Sequence, residues 1–82
     1  MADVVLVEER YSHVLFCREG QHLLTYLSGG SIEVSRTALL PQDLATGLSK
    51  SPEQLKAFVY DLLAGEFPNG VVRAATPIWP AP

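Results

Sequence analysis

The chain offers little that membrane, disulfide or nucleic-acid chemistry requires. It has a single cysteine, Cys17, so no internal disulfide can form, and a lone thiol fits a reducing compartment. Its longest unbroken apolar run is Val4–Val7, far short of the roughly 20 residues a membrane-spanning helix needs. Met1-Ala2-Asp3 places an acid where a signal peptide carries basic residues, and no apolar region of signal-peptide length follows. The expected location is therefore the cytoplasm. The six basic residues, Arg10, Arg18, Arg36, Lys50, Lys56 and Arg73, are scattered singly, and the net charge is −3. Nucleic-acid binding relies on a clustered basic surface, so no nucleic-acid partner is expected. The acidic excess is too dispersed for a DNA mimic.

Ligand-binding motifs are equally scarce. His13, Cys17 and His22 lack the paired short spacings of a zinc site, and neither metal nor cofactor is expected. Gly29-Gly30 has no lysine after it and opens no helix, so it lacks the cradle of a phosphate loop.

What is present is apolar. Hydrophobic residues make up 48% of the 82 positions and charged residues 18%, too apolar a balance for disorder. It is also richer than a monomer of this size needs, which points to an interface with a protein partner or a second copy. The length suits one domain, expected over residues 1–75, followed by an extended proline-rich tail over 76–82.

The N-terminal half reads as strands. Val4–Val7, His13–Cys17 and His22–Leu27 are apolar runs, and Ile32–Ala38 alternates between apolar and polar residues. Glu19-Gly20 and Gly29-Gly30 suit two-residue hairpin turns, in which positive φ is required. Gln42–Thr46 is expected to form a short helical turn ended by Gly47. The best-defined element starts at Ser51, a good N-cap, with Pro52 at the first helical position and Gln54 three residues on. Leu55, Phe58, Val59, Leu62 and Leu63 form one apolar stripe, and Gly65 is the natural stop. Val71–Ala75 reads as a short final strand. Together these predict an α+β, two-layer sandwich: an antiparallel meander of three to five strands, with one main helix (about 52–64) on one face.

The two turns fix a register. Glu19-Gly20 sets Cys17 opposite His22, Phe16 opposite Leu23 and His13 opposite Tyr26. Gly29-Gly30 as a two-residue loop sets Leu27 opposite Ile32, Tyr26 opposite Glu33 and Thr25 opposite Val34. One face then carries Val14, Phe16, Leu23, Thr25, Leu27, Ile32 and Val34, expected to lie under the helix. The other carries His13, Leu15, Cys17, His22, Leu24, Tyr26, Glu33 and Ser35, expected to be open.

The candidate binding residues are His13, Leu15, Leu24, Tyr26 and Glu33 on that open face, with Trp79 in the tail. Leu15, Leu24 and Tyr26 would form an apolar patch worth burying, with His13, Tyr26 and Glu33 in a row across three strands. Cys17 beside His22 has the minimum of an activated thiol, but a flat sheet face supplies neither an oxyanion hole nor a pocket. No catalytic residue is assigned. Pro77-Ile78-Trp79-Pro80 matches the pattern of proline-rich ligands; the leading alternative is that Ile78 and Trp79 fold back over the exposed sheet face, and a third is contact with a neighbouring subunit. The function expected is non-catalytic protein binding, of the inhibitor, immunity or accessory-subunit kind. A self-assembling homo-oligomer, or a small enzyme with its site between subunits, is the alternative.

Overall fold

The computed structural model describes residues 3–10, 12–27 and 34–80. These residues form a five-stranded antiparallel sheet and two helices, an α+β fold. The strands are β1 (Val4–Glu9), β2 (His13–Arg18), β3 (Gln21–Leu27), β4 (Ser35–Leu40) and β5 (Val72–Arg73), adjacent in chain order. Helices α1 (Gln42–Ser49) and α2 (Pro52–Leu63) lie between β4 and β5 in the chain. No helix of the described residues is long and apolar enough to cross a membrane.

The first hairpin follows its turn chemistry. Glu19 and Gly20 have φ of 51° and 80°, the paired positive values of a type I′ turn, which matches the twist of the strands it joins. The turn closes Arg18 opposite Gln21, and the pairs Cys17–His22, Phe16–Leu23 and His13–Tyr26 follow, as the sequence predicts.

The second hairpin departs from the expectation. Leu27 faces Ser35, Tyr26 faces Arg36 and Thr25 faces Thr37, three residues beyond the predicted pairing. The strand runs Ser35–Leu40 rather than Ile32–Ala38. An odd shift exchanges the faces of a strand. Here it sets Ala38 and Leu40 in the core and brings the Thr25 and Thr37 hydroxyls within 2.7 Å of each other. Gly29, Gly30 and Glu33 lie outside the described residues.

Helix α1 also exceeds its expected span, running through Gly47 to Ser49. Leu48 is buried, and only a second turn carries it to the core. Helix α2 keeps its predicted start, with the Gln54 backbone N–H donating to Ser51 Oγ at 3.4 Å. Ala64 caps its end, and Gly65 has φ 84°. Gly65 N–H donates to Leu62 O and Glu66 N–H to Asp61 O, the double closure of a Schellman motif. Of the predicted stripe, Leu55, Phe58, Val59 and Leu62 are buried, whereas Leu63 is exposed.

The helices cover the face opposite to the one expected. Leu15, Leu24, Tyr26, Ala38 and Leu40 of the sheet pack with Ala45, Leu48, Leu55, Phe58, Val59 and Leu62 of the helices. Full burial of a large apolar side chain contributes about 1.5–3 kcal/mol, so this is the main core. Leu15, Leu24 and Tyr26 have no exposed surface and form no open patch.

The other face, with Val14, Phe16 and Leu23, is covered by the tail through Ile78. The tail therefore folds back on its own sheet. Thr37 and Thr25 make this possible. Ile78 N–H donates to Thr37 Oγ1 at 2.8 Å. The two hydroxyls bond each other at 2.7 Å, and Thr25 Oγ1 bonds Ile78 O. With Thr37 donating to Thr25, each of the three donors has an acceptor and the circuit closes, so an extended backbone lies on a sheet face with its polar groups satisfied.

Candidate functional site

The sequence-predicted residues separate onto two faces. His13, Leu15, Leu24 and Tyr26 lie on the helix-covered face. Trp79 lies on the tail side and is 49% exposed. His13 and Tyr26 do face each other, but Arg36 takes the third place in the row, because the register of β4 is shifted. Cys17 and His22 are cross-strand neighbours, each half-buried. Among the described residues no group of three or more His, Cys, Asp or Glu side chains is arranged to hold a metal ion.

His13 is 6% exposed, and its Nδ1 hydrogen-bonds Ser12 Oγ at 2.8 Å. Burial lowers its pKa from the usual imidazole value; Glu9, opposite on β1, works against that, and Lys56 of α2 adds to it. Burial raises the Tyr26 phenol pKa, while Arg73 and Arg36 pull it down. The Tyr26 hydroxyl is buried, and among the described residues it has no hydrogen-bond partner. An unsatisfied buried hydroxyl costs roughly 1–3 kcal/mol and calls for an explanation.

Two exposed regions follow from this geometry. The first surrounds β1, an edge strand that among the described residues pairs only with β2. Val4, Val5 and Leu6 are exposed at 59, 47 and 40%. A bulge between Val5 and Val7 turns Val5 to the Phe16 side and Val7 to the Leu15 side. Val7 thus packs on the main core while Val5 lies on the tail side of the sheet. At the other end of the strand, a cleft of about 270 Å³ is lined by Glu8, Glu9, His13, Val14, Leu27 and Trp79, among others. His13 and Trp79, 66 positions apart in the numbering, thus border one cleft. The tail is anchored near this edge by Arg18, whose guanidinium forks onto Asp3 at 2.9 and 2.7 Å and donates to Trp79 O at 3.3 Å.

The second region is a recess of about 300 Å³ between the C-terminal end of α2 and the opposite edge of the sheet, lined by Arg36, Arg73 and residues 62–65. Sequence reasoning passes over both regions. The uncharged start of β1 is visible as an apolar run, but edge position is a tertiary property. Arg36 and Arg73 belong to distant segments, and no local signal links them. Known proteins supply no likeness to set beside this geometry: no family model, no curated protein and no solved structure matches the chain.

Proposed function

We propose that this chain is a non-catalytic protein-interaction domain, of the inhibitor or accessory-subunit kind, that receives an extended segment of another protein along β1. The observation that carries the reading is an edge strand whose first three residues, Val4, Val5 and Leu6, are all exposed. An edge strand leaves a row of backbone N–H and C=O groups open for strand addition. Edges are commonly guarded by charge or proline; within β1 the first charged residues are Glu8 and Glu9, and Asp3 before it is engaged by Arg18. A partner segment with β-branched or apolar residues against Val4–Leu6 and a basic residue near Glu8 and Glu9 complements both features. Trp79, half-exposed beside the cleft, extends the apolar surface, and tryptophan is enriched among residues that dominate binding energy. Burial of His13 and Tyr26 supports binding over catalysis, since neither ring is freely open to a substrate.

The test uses a C-terminal tag, because an N-terminal one sits beside β1. Partners captured by the wild-type chain are compared with those captured by Val5→Lys, and backbone hydrogen exchange of β1 is followed as the purified partner is added. Loss of a stoichiometric partner in the variant, with β1 amides protected in the wild-type complex, supports the reading. A partner that binds Val5→Lys equally well, or leaves β1 exchange unchanged, refutes it. A wild-type dimer that Val5→Lys turns into a monomer also refutes it, in favour of β1 pairing with a second copy of the chain.

A further inference from the structure

We propose that the docked tail controls the order of β1 through Arg18, so that the edge strand is a firm template for strand addition only while the tail lies on the sheet. The coupling stands on contacts within the chain; its use in regulating a partner rests on the reading of β1 as the docking edge.

One guanidinium group serves both segments. The register that sets Val4 opposite Cys17, carried one step further, places Asp3 opposite Arg18. Arg18 Nε donates to Asp3 Oδ1 at 2.9 Å and Nη2 donates to Asp3 Oδ2 at 2.7 Å. The same Nη2 donates to Trp79 O at 3.3 Å. It carries two hydrogens, so it serves the start of β1 and the tail at once. The Phe16 ring lies 5.9 Å from the guanidinium carbon, at cation–π distance, and steadies the head group over the tail side of the sheet.

A surface ion pair commonly contributes little. Here the Asp3 side chain is 2% exposed, although Arg18 keeps 39%. A buried carboxylate depends on its partner, and loosening that partner is costly. The position of Arg18 therefore matters to Asp3, and through Asp3 to the strand it opens.

Both segments are lightly anchored elsewhere. Val4, Val5 and Leu6 are exposed, the ladder is broken by the bulge between Val5 and Val7, and Val7 beyond it packs against the main core. The tail is held at Ile78 by its contact with the Val14–Phe16–Leu23 cluster and by its bonds to Thr25 and Thr37. Segments with few buried contacts open locally at low free energy. Two such segments that share one donor order together, because whichever docks first fixes the side chain that the other needs.

The consequence falls on the docking edge. With the tail lifted, Arg18 loses Trp79 O, its fork on Asp3 loosens and the start of β1 frays. A partner must then order the strand at the expense of its own affinity. A segment added to β1 in turn holds the tail down, since such coupling is reciprocal.

Hydrogen exchange of the full chain, followed by NMR, reads both segments with no partner present. Thr37→Val removes the hydroxyl that accepts from Ile78 N–H and lies on β4, away from Asp3 and Arg18. It should speed exchange of the β1 amides that bond β2 by about fivefold or more. Asp3→Asn weakens the clasp at the other end and should speed exchange of the Ile78 amide by a similar factor. The amides of Phe58, Val59 and Leu62 in α2 are the reference, because a merely destabilising change would speed them equally. In an Arg18→Gln chain both cross-effects should vanish. Cross-effects that are absent in the native background, that persist in Arg18→Gln, or that are matched by α2 overturn the proposal. Coupled exchange without capture of a partner sensitive to Val5→Lys overturns the docking reading of β1 alone; such capture without coupled exchange overturns this proposal alone.

Discussion

The attachment of the tail to the sheet makes a sharp prediction. Val14, Phe16 and Leu23 are 3, 0 and 3% exposed, and the tail residue packed against them is Ile78. Ile78 is partly buried, so Ile78→Ala should cost less than the 2–5 kcal/mol of a fully buried site, about 1–2.5 kcal/mol. Thr37→Val keeps the shape but removes the hydroxyl that accepts from Ile78 N–H at 2.8 Å and bonds Thr25 at 2.7 Å. Leaving those partners unsatisfied should cost about 1–3 kcal/mol. For a domain of this size, 1 kcal/mol shifts Tm by about 4–8 °C, so each variant should melt on the order of 5–20 °C lower. The discriminating assay is a double-mutant cycle by urea unfolding, with Thr37→Val made in the full chain and in a chain truncated after Ala75. Truncation removes Ile78, so Thr37→Val should lose most of its effect there. A Thr37→Val penalty of the same size in both backgrounds would refute the closed circuit of Thr25, Thr37 and Ile78.

Further predictions concern the turn and the buried histidine. Glu19 adopts φ 51°, a conformation asparagine tolerates far better; Glu19→Asn should therefore raise stability by about 0.5–1 kcal/mol, read as a higher urea midpoint with unchanged m. His13 has a folded pKa below its unfolded value, so the folded state binds fewer protons, and stability is complete above the unfolded pKa of about 6.5 and falls as pH drops through it. Unfolding free energy should decline from pH 7.5 to 5.5, and His13→Gln should flatten that decline; an unchanged slope in the variant would assign the pH dependence to another group.

How much was legible in the sequence depends on the range of the interaction involved. Local signals carried through: Glu19-Gly20 set the register of β2 against β3, and Ser51-Pro52 and Gly65 set the two ends of α2, because turn and cap chemistry is decided within four or five residues. The β4 register failed, since the observed pairing goes with Ala38 and Leu40 reaching the core and with the Thr25–Thr37 contact, all of them long-range. The candidate site was legible only as a grouping: His13, Leu15, Leu24 and Tyr26 do share one face.

Alternation and the Glu19-Gly20 turn determined which residues of β2 and β3 stand together, the cap residues determined where α2 begins and ends, and the two kinds of pattern together gave the α+β class. These patterns do not say which face receives which layer, because both faces of β2 and β3 are apolar and each needs a cover. Only the tertiary structure decided that. The helices, whose backbones are already hydrogen-bonded, took the face of large side chains, where interdigitation buries the most surface. The tail, with free backbone donors and acceptors, took the face where two threonine hydroxyls satisfy them. The exposed β1 edge and the Arg36–Arg73 recess are consequences of the same assembly, in which strand order leaves one edge open and brings together two arginines from separate segments.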